Sequence, residues 1–176
     1  MGDRPKELLE LLDRSGANLF ALLTRLTVRQ DVAEELMQDL FLKLSGAKDQ
    51  GGIDCWYAYA RRTAINLAFD WRRRQRIRRT CPLDESPDCV STGGSPLGTL
   101  IEAEELDQVL AAIDRLRGPS REAFVLRYIE QESYEQIAKQ IGKTPHHVRA
   151  LCSRAMNVLR SHVLKDEKEV QHVEDE

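Results

Sequence analysis

Two stretches of this chain combine residue types and spacing that suit recognition of phosphate and base. From Arg61 to Arg79 there are eight arginines and one acid, Asp70. The net charge of the whole chain is only −3, so this excess is local. A basic stripe on one helix neutralises phosphates and releases their counterions. Phe69 and Trp71 stand among the arginines, and base stacking on such rings is worth roughly 1–3 kcal/mol per base. Trp71 continues the apolar face of its helix and reads as core, whereas Phe69 lies off that face. Ile65 lies off it too, which implies a second packing surface or a contact to a partner. The other stretch is SYEQIAKQIGKTPHHVRALCSRAMNVLR, beginning at Ser133. It has the form of a short capped helix, a turn at Gly142 and a longer helix, a helix-turn-helix. Such a unit lays its second helix in the major groove. The outward face of that helix offers His146, His147, Arg149, Ala150, Ser153, Arg154 and Asn157. Arginine suits guanine or phosphate, serine donates to several acceptors, and alanine meets a thymine methyl.

Bond-making chemistry has no comparable signature. Walker, G-x-S-x-G, H-E-x-x-H and dinucleotide patterns are missing, so the reading is of a protein that is not an enzyme and has no cofactor. Cys55, Cys81, Cys89 and Cys152 form no C-x-x-C pair and read as ordinary thiols. His146, His147 and Cys152 fit no common zinc spacing, so no metal is expected. No apolar run approaches the ~20 residues needed to cross a bilayer. The acidic, mixed start MGDRPKELLELLDRSG has no secretory character, and the expected location is the cytoplasm.

The elements that must position these residues are helices. Hydrophobic residues make up 41% of the chain, enough for a core. Apolar periodicity predicts helices over 4–25, 29–45 and 54–79, with Gly16 bending or dividing the first. In the second, Val32, Leu36, Leu40, Phe41 and Leu44 make the apolar stripe. Glu35, Gln38, Asp39 and Leu42 recur at i, i+3, i+4 and i+7 on its other side. In the third, Trp56, Tyr59, Ala60, Thr63, Ala64, Leu67 and Trp71 share one face. Arg62, Asn66, Phe69 and Arg73 oppose them, beside Arg61. The segment TCPLDESPDCVSTGGSPLG holds three prolines and three glycines without apolar periodicity, the composition of a linker. Four further helices are expected beyond it. Ser133 with Gln136 forms a capping box, Gly142 supplies the C′ residue, and Thr144 with Pro145 starts the last helix. The expected architecture is all-α: two small helical domains joined by a flexible linker, the second containing the helix-turn-helix. The boundaries are 1–79, a linker 80–99, 100–165, and an acidic tail 166–176 that is either solvated or folded back onto the basic faces.

In order and content these motifs resemble the extracytoplasmic-function sigma factors of bacterial RNA polymerase. AEELMQDLFLKL, Ala33 to Leu44, is similar to region 2.2 of that family. WYAYARRTAINLAFDWRRRQR, Trp56 to Arg76, is similar to regions 2.3 and 2.4. LDQVLAAIDRLRGPSREAFVLRYIEQESYEQIAKQIG with the helix after it is similar to region 4. The resemblance implies that Glu35, Gln38, Asp39 and Leu42 contact polymerase. It implies that Arg61, Arg62, Asn66, Phe69 and Arg73 serve −10 DNA, where bases are flipped out of the stack. It implies that His146, His147, Arg149, Ala150, Ser153 and Arg154 read the −35 duplex. Core RNA polymerase, promoter DNA and an anti-sigma protein are the implied partners. The chain departs from the pattern at Arg62 and Asn66, where the family often carries Asn and nearby Asp. It departs again at His146-His147-Val148, in place of a Gly-Thr-Val run. The alternatives from the residues alone are a stand-alone helix-turn-helix regulator and a protein-only, sigma-mimicking adaptor.

Overall fold

The computed structural model describes residues 4–47, 55–80 and 96–173. Cys81 and Cys89 lie outside the described residues. Among the described residues every regular element is helical: α1 (Arg4–Thr27), α2 (Gln30–Gly46), α3 (Trp56–Thr80), α4 (Pro96–Asp114), α5 (Gly118–Phe124), α6 (Tyr134–Ile141) and α7 (Pro145–Val173), with a π-helical turn, Val125–Ile129, directly after α5.

The helices α1, α2 and α3 pack on one another as an N-terminal unit. Leu19, Leu22, Leu23 and Leu26 of α1 fall at i, i+3, i+4 and i+7, and all four are buried. Their burial outweighs the ~0.5–1 kcal/mol that a mid-helix glycine costs, so α1 runs unbroken through Gly16. It stops at Val28, whose φ of 61° is left-handed. The Val28 amide donates to Thr24 O at 2.8 Å, and the Thr27 hydroxyl donates to Leu23 O at 2.8 Å, which closes the end of the helix. In α2, Val32, Leu36, Leu40 and Leu44 recur every four residues and are buried. Phe41, expected in that stripe, is exposed.

Burial on α3 is wider than the single apolar face expected of it. Ala60, Arg61, Ala64, Ile65, Leu67, Ala68, Phe69 and Arg72 are all buried, while Trp71 is half-buried against the core. One side of α3 meets α1 and α2, and the other meets the C-terminal half. Ile65 is fully buried.

In the C-terminal unit α7 is central, packed by α4, α5 and α6. Val148, Leu151, Cys152, Ala155 and Leu159 make its buried stripe, with Met156 half-buried. The Cys152 thiol donates to Ala123 O at 3.6 Å, and burial pushes its pKa up. Two helices cross the expected boundaries. The helix α4 begins at Pro96, inside the segment 80–99 assigned to the linker, because proline is tolerated in a first helical turn. The helix α7 continues to Val173, through most of the segment 166–176 assigned to a tail.

Candidate nucleic-acid and protein interfaces

The turn between α6 and α7 is built by local chemistry. Gln136 N–H donates to Ser133 Oγ at 3.2 Å, and Ser133 N–H donates to Gln136 Oε1 at 2.9 Å, completing the capping box. Gly142 takes φ 65°, the left-handed C′ position. Thr144 Oγ1 then accepts from His147 N–H at 3.2 Å and caps α7. The result is a helix with Val148, Leu151, Cys152 and Ala155 turned inward. His146, His147, Arg149, Ala150, Ser153 and Arg154 are all exposed. The Arg149 guanidinium lies 5.2 Å from the centre of the Tyr134 ring, and that of Arg127 lies 4.7 Å from the same ring. Tyr134 thus ties the first exposed arginine of α7 to α6 through a cation–π contact. Periodicity alone gave no sign of this role.

On α2, Glu35, Gln38, Asp39 and Leu42 are exposed together. Leu42 is 66% exposed, far more than an isolated core leucine would be. Beside it, Leu12, Met37, Gln38, Phe41 and Leu42 line a shallow apolar groove. A polar pair flanked by apolar side chains in a groove suits a protein partner better than a phosphate backbone.

The α3 residues divide. Arg62 and Arg73 are exposed on their outer portions, with side-chain exposures of 61% and 51%. Asn66 is exposed but occupied, since Arg121 Nη2 donates to its Oδ1 at 3.0 Å. Arg61 is buried. It pairs with Glu132, receives the Tyr57 ring 5.3 Å from its guanidinium carbon, and donates from Nη1 to Gln140 Oε1 at 2.9 Å. Phe69 is fully buried, and the Arg121 guanidinium lies 5.0 Å from its ring centre. Phe69, expected to offer a ring for base stacking, lies off the expected apolar face and is covered in this structure by a second set of neighbours that includes Arg121.

Those neighbours went unnoticed in the sequence. Arg73 donates to Asp114 at 2.9 Å, Arg121 to the same carboxylate at 3.1 Å, and Arg76 lies 3.8 Å from it. Arg72 pairs with Asp107 and donates to Leu26 O at 3.3 Å. Glu122 faces Arg62 at 3.7 Å. Burial pulls the Arg72 and Arg121 guanidinium groups down from the usual arginine range, with Asp107 and Asp114 opposing. Burial also pushes the Glu122 carboxyl up, with Arg62 opposing.

Among the described residues no cluster of His, Cys, Asp or Glu is arranged to hold a metal ion, and no helix is long and apolar enough to cross a membrane. The family model "Sigma-70, region 4" matches residues 106–159, which include the whole helix-turn-helix. The ECF RNA polymerase sigma factor SigE of Mycolicibacterium smegmatis is 27% identical over 91% of this chain, and the chain spans 63% of that relative's length. The ECF RNA polymerase sigma factor SigX of Bacillus subtilis is 25% identical over 87% of this chain and 81% of its own. The sigma factor RpoE, in its co-crystal with the anti-sigma factor NepR from Bartonella quintana, has a TM-score of 0.47 and 23% identity, covering 93% of this chain and 98% of that one. Sigma factors of this group align along most of the chain, and the region 4 match falls on the helix-turn-helix itself; the chain is similar to the extracytoplasmic-function sigma factors.

Proposed function

We propose that the chain directs bacterial core RNA polymerase to a particular class of promoter, by binding the core enzyme, reading the −35 duplex and melting the −10 element. The chain does no bond chemistry in this reading; polymerase does it. The observation that carries the proposal is the helix-turn-helix whose outward face, from His146 to Arg154, is free of the core. Arg149, Ser153 and Arg154 supply base or phosphate contacts there, and His146, His147 and Ala150 complete the surface presented to the groove. The exposed Glu35, Gln38, Asp39 and Leu42 on α2, beside an apolar groove, support a docking site for polymerase. Arg61, Arg62, Asn66, Phe69 and Arg73 on α3 are the proposed contacts to single-stranded −10 DNA, with Arg61 and Phe69 covered by other helices in this structure. Similarity to these sigma factors supports an anti-sigma protein as a further partner. The cytoplasm is the proposed location, since the transcription machinery works there.

The test is transcription in vitro from a library of random upstream sequences, with purified core polymerase and this chain. A selected promoter with two separated elements is expected. Arg154→Ala should weaken use of its upstream element by about 1–3 kcal/mol, roughly ten- to hundredfold. Transcription that ignores both the library sequence and the variant would overturn the reading.

A further inference from the structure

Tyr134 is the first residue of α6, and its side chain is half-buried. The capping box made by Ser133 fixes the backbone just before it. Its hydroxyl end engages Tyr128, whose pKa is pushed up by burial first and by Tyr134 second. Two guanidinium groups meet the ring. Arg127 lies 4.7 Å and Arg149 5.2 Å from its centre, both inside the roughly 6 Å reach of a cation–π contact.

The two arginines differ in what else holds them. Arg127 is half-buried in the π-turn, and its Nη1 donates to Glu132 O at 2.7 Å, so it is a fixed support for the ring. Arg149 is exposed on the outward face of α7, and among the described residues no carboxylate pairs with it. Arg154, by contrast, rests on its own helix, with Nε donating to Ala150 O at 3.3 Å. An exposed arginine otherwise samples many rotamers and loses that freedom when it meets a base. One held in advance loses less. Arginine can rest on a ring and still meet a base edge, because it carries five N–H donors.

We propose that Tyr134 is a positioning residue for −35 recognition: its ring holds the Arg149 guanidinium where it reads a base edge, and so sharpens the choice of base at the pair Arg149 meets. It rests on the reading of α7 as the −35 helix. Tyr134 acts through Arg149, so its effect is local. General attraction to phosphate follows the charge, which Arg149 carries wherever it points. Discrimination between bases follows the direction of its donors. Loss of the ring therefore costs sequence preference at that base pair and leaves the other positions as they were. The ring supplies the contact and the hydroxyl does not, so Tyr134→Phe preserves it.

In the experiment, core polymerase loaded with the full chain selects promoters from the random upstream library, and sequencing reads the base preference at each position. The unaltered chain is compared with Arg149→Ala, Tyr134→Leu, Tyr134→Phe and the double variant Tyr134→Leu/Arg149→Ala. Arg149→Ala is expected to flatten the preference at one or two adjacent upstream positions. Tyr134→Leu should lower it about three- to fivefold at those same positions and nowhere else, the size of one exposed cation–π contact. Tyr134→Phe should keep it, and the double variant should match Arg149→Ala alone. The proposal is overturned if Tyr134→Leu changes nothing, or lowers preference equally at every position as a loosened helix-turn-helix would. It is also overturned if Tyr134→Phe is as damaging as Tyr134→Leu, or if the double variant loses more than Arg149→Ala. Arg149→Ala without effect at any position contradicts the −35 reading of Arg149 itself, and the role of Tyr134 falls with it.

Discussion

The Asp114 carboxylate links the two halves of the chain, and replacing it with asparagine has a calculable consequence. Its side chain is only 6% exposed and serves Arg73 at 2.9 Å and Arg121 at 3.1 Å, with Arg76 at 3.8 Å. Asparagine keeps the shape and removes the charge. Arg73 and Arg76 are partly solvated and lose little. Arg121 is nearly buried, and its remaining contacts are the Asn66 carbonyl and the Phe69 ring, both neutral. Its Nε has no hydrogen-bond partner among the described residues, so the site has no polar reserve. Removing one partner of a buried pair costs about 3–5 kcal/mol, because the other charge stays buried without compensation. For a chain of this size that corresponds to a fall in Tm of roughly 10 °C. Urea unfolding followed by circular dichroism measures it. Asp70→Asn is the internal standard: Asp70 pairs with Arg73 at 3.5 Å and both are half exposed, so under about 1 kcal/mol is expected. Equal, small effects of the two substitutions would refute the argument that burial sets the strength of this contact.

Val28→Gly should stabilise the chain by about 1 kcal/mol, since Val28 holds a left-handed φ of 61° while 54% exposed, and glycine removes the Cβ clash without losing buried surface; a midpoint shift in thermal unfolding reads it. Ser133→Ala deletes the capping box of α6 and should cost about 1 kcal/mol, measured by urea unfolding, and loosen the helix-turn-helix. Glu122 carries a raised pKa, so the folded state holds its proton more tightly than the unfolded one. Its contribution to stability is therefore greatest in acid and falls as pH rises from the ordinary glutamate range through the raised value. Glu122→Gln should flatten that slope in unfolding curves taken across mildly acidic pH, and an unchanged slope would contradict the assignment.

Local chemistry was legible in the sequence, and long-range chemistry was not. Ser133, Gln136, Gly142, Thr144 and Pro145 act on neighbours within a few residues, so their types and order suffice to predict the turn and both caps. Apolar spacing likewise identified the inner faces of α2 and α7, except at Phe41. The covering of α3 depends on ion pairs and hydrogen bonds between residues 35 to 79 positions apart, such as Arg72 with Asp107 and Arg61 with Gln140. An acid in such a contact has the same local sequence as one facing water, so Asp107, Asp114, Glu130 and Glu132 carried no signal. Ile65 and Phe69, apolar residues on the arginine side of α3, were the one available sign that a second surface packs there. The start of α4 at Pro96 lay hidden within the expected linker because proline both ends linkers and starts helices.

The central claim is that this chain works on polymerase, and the most direct measurement is its binding to purified bacterial core RNA polymerase. Fluorescence anisotropy of the labelled chain should report tight binding, lost in Gln38→Ala/Asp39→Ala, whose exposed side chains contribute little to the fold. No binding by the unaltered chain to an active core enzyme would contradict the account.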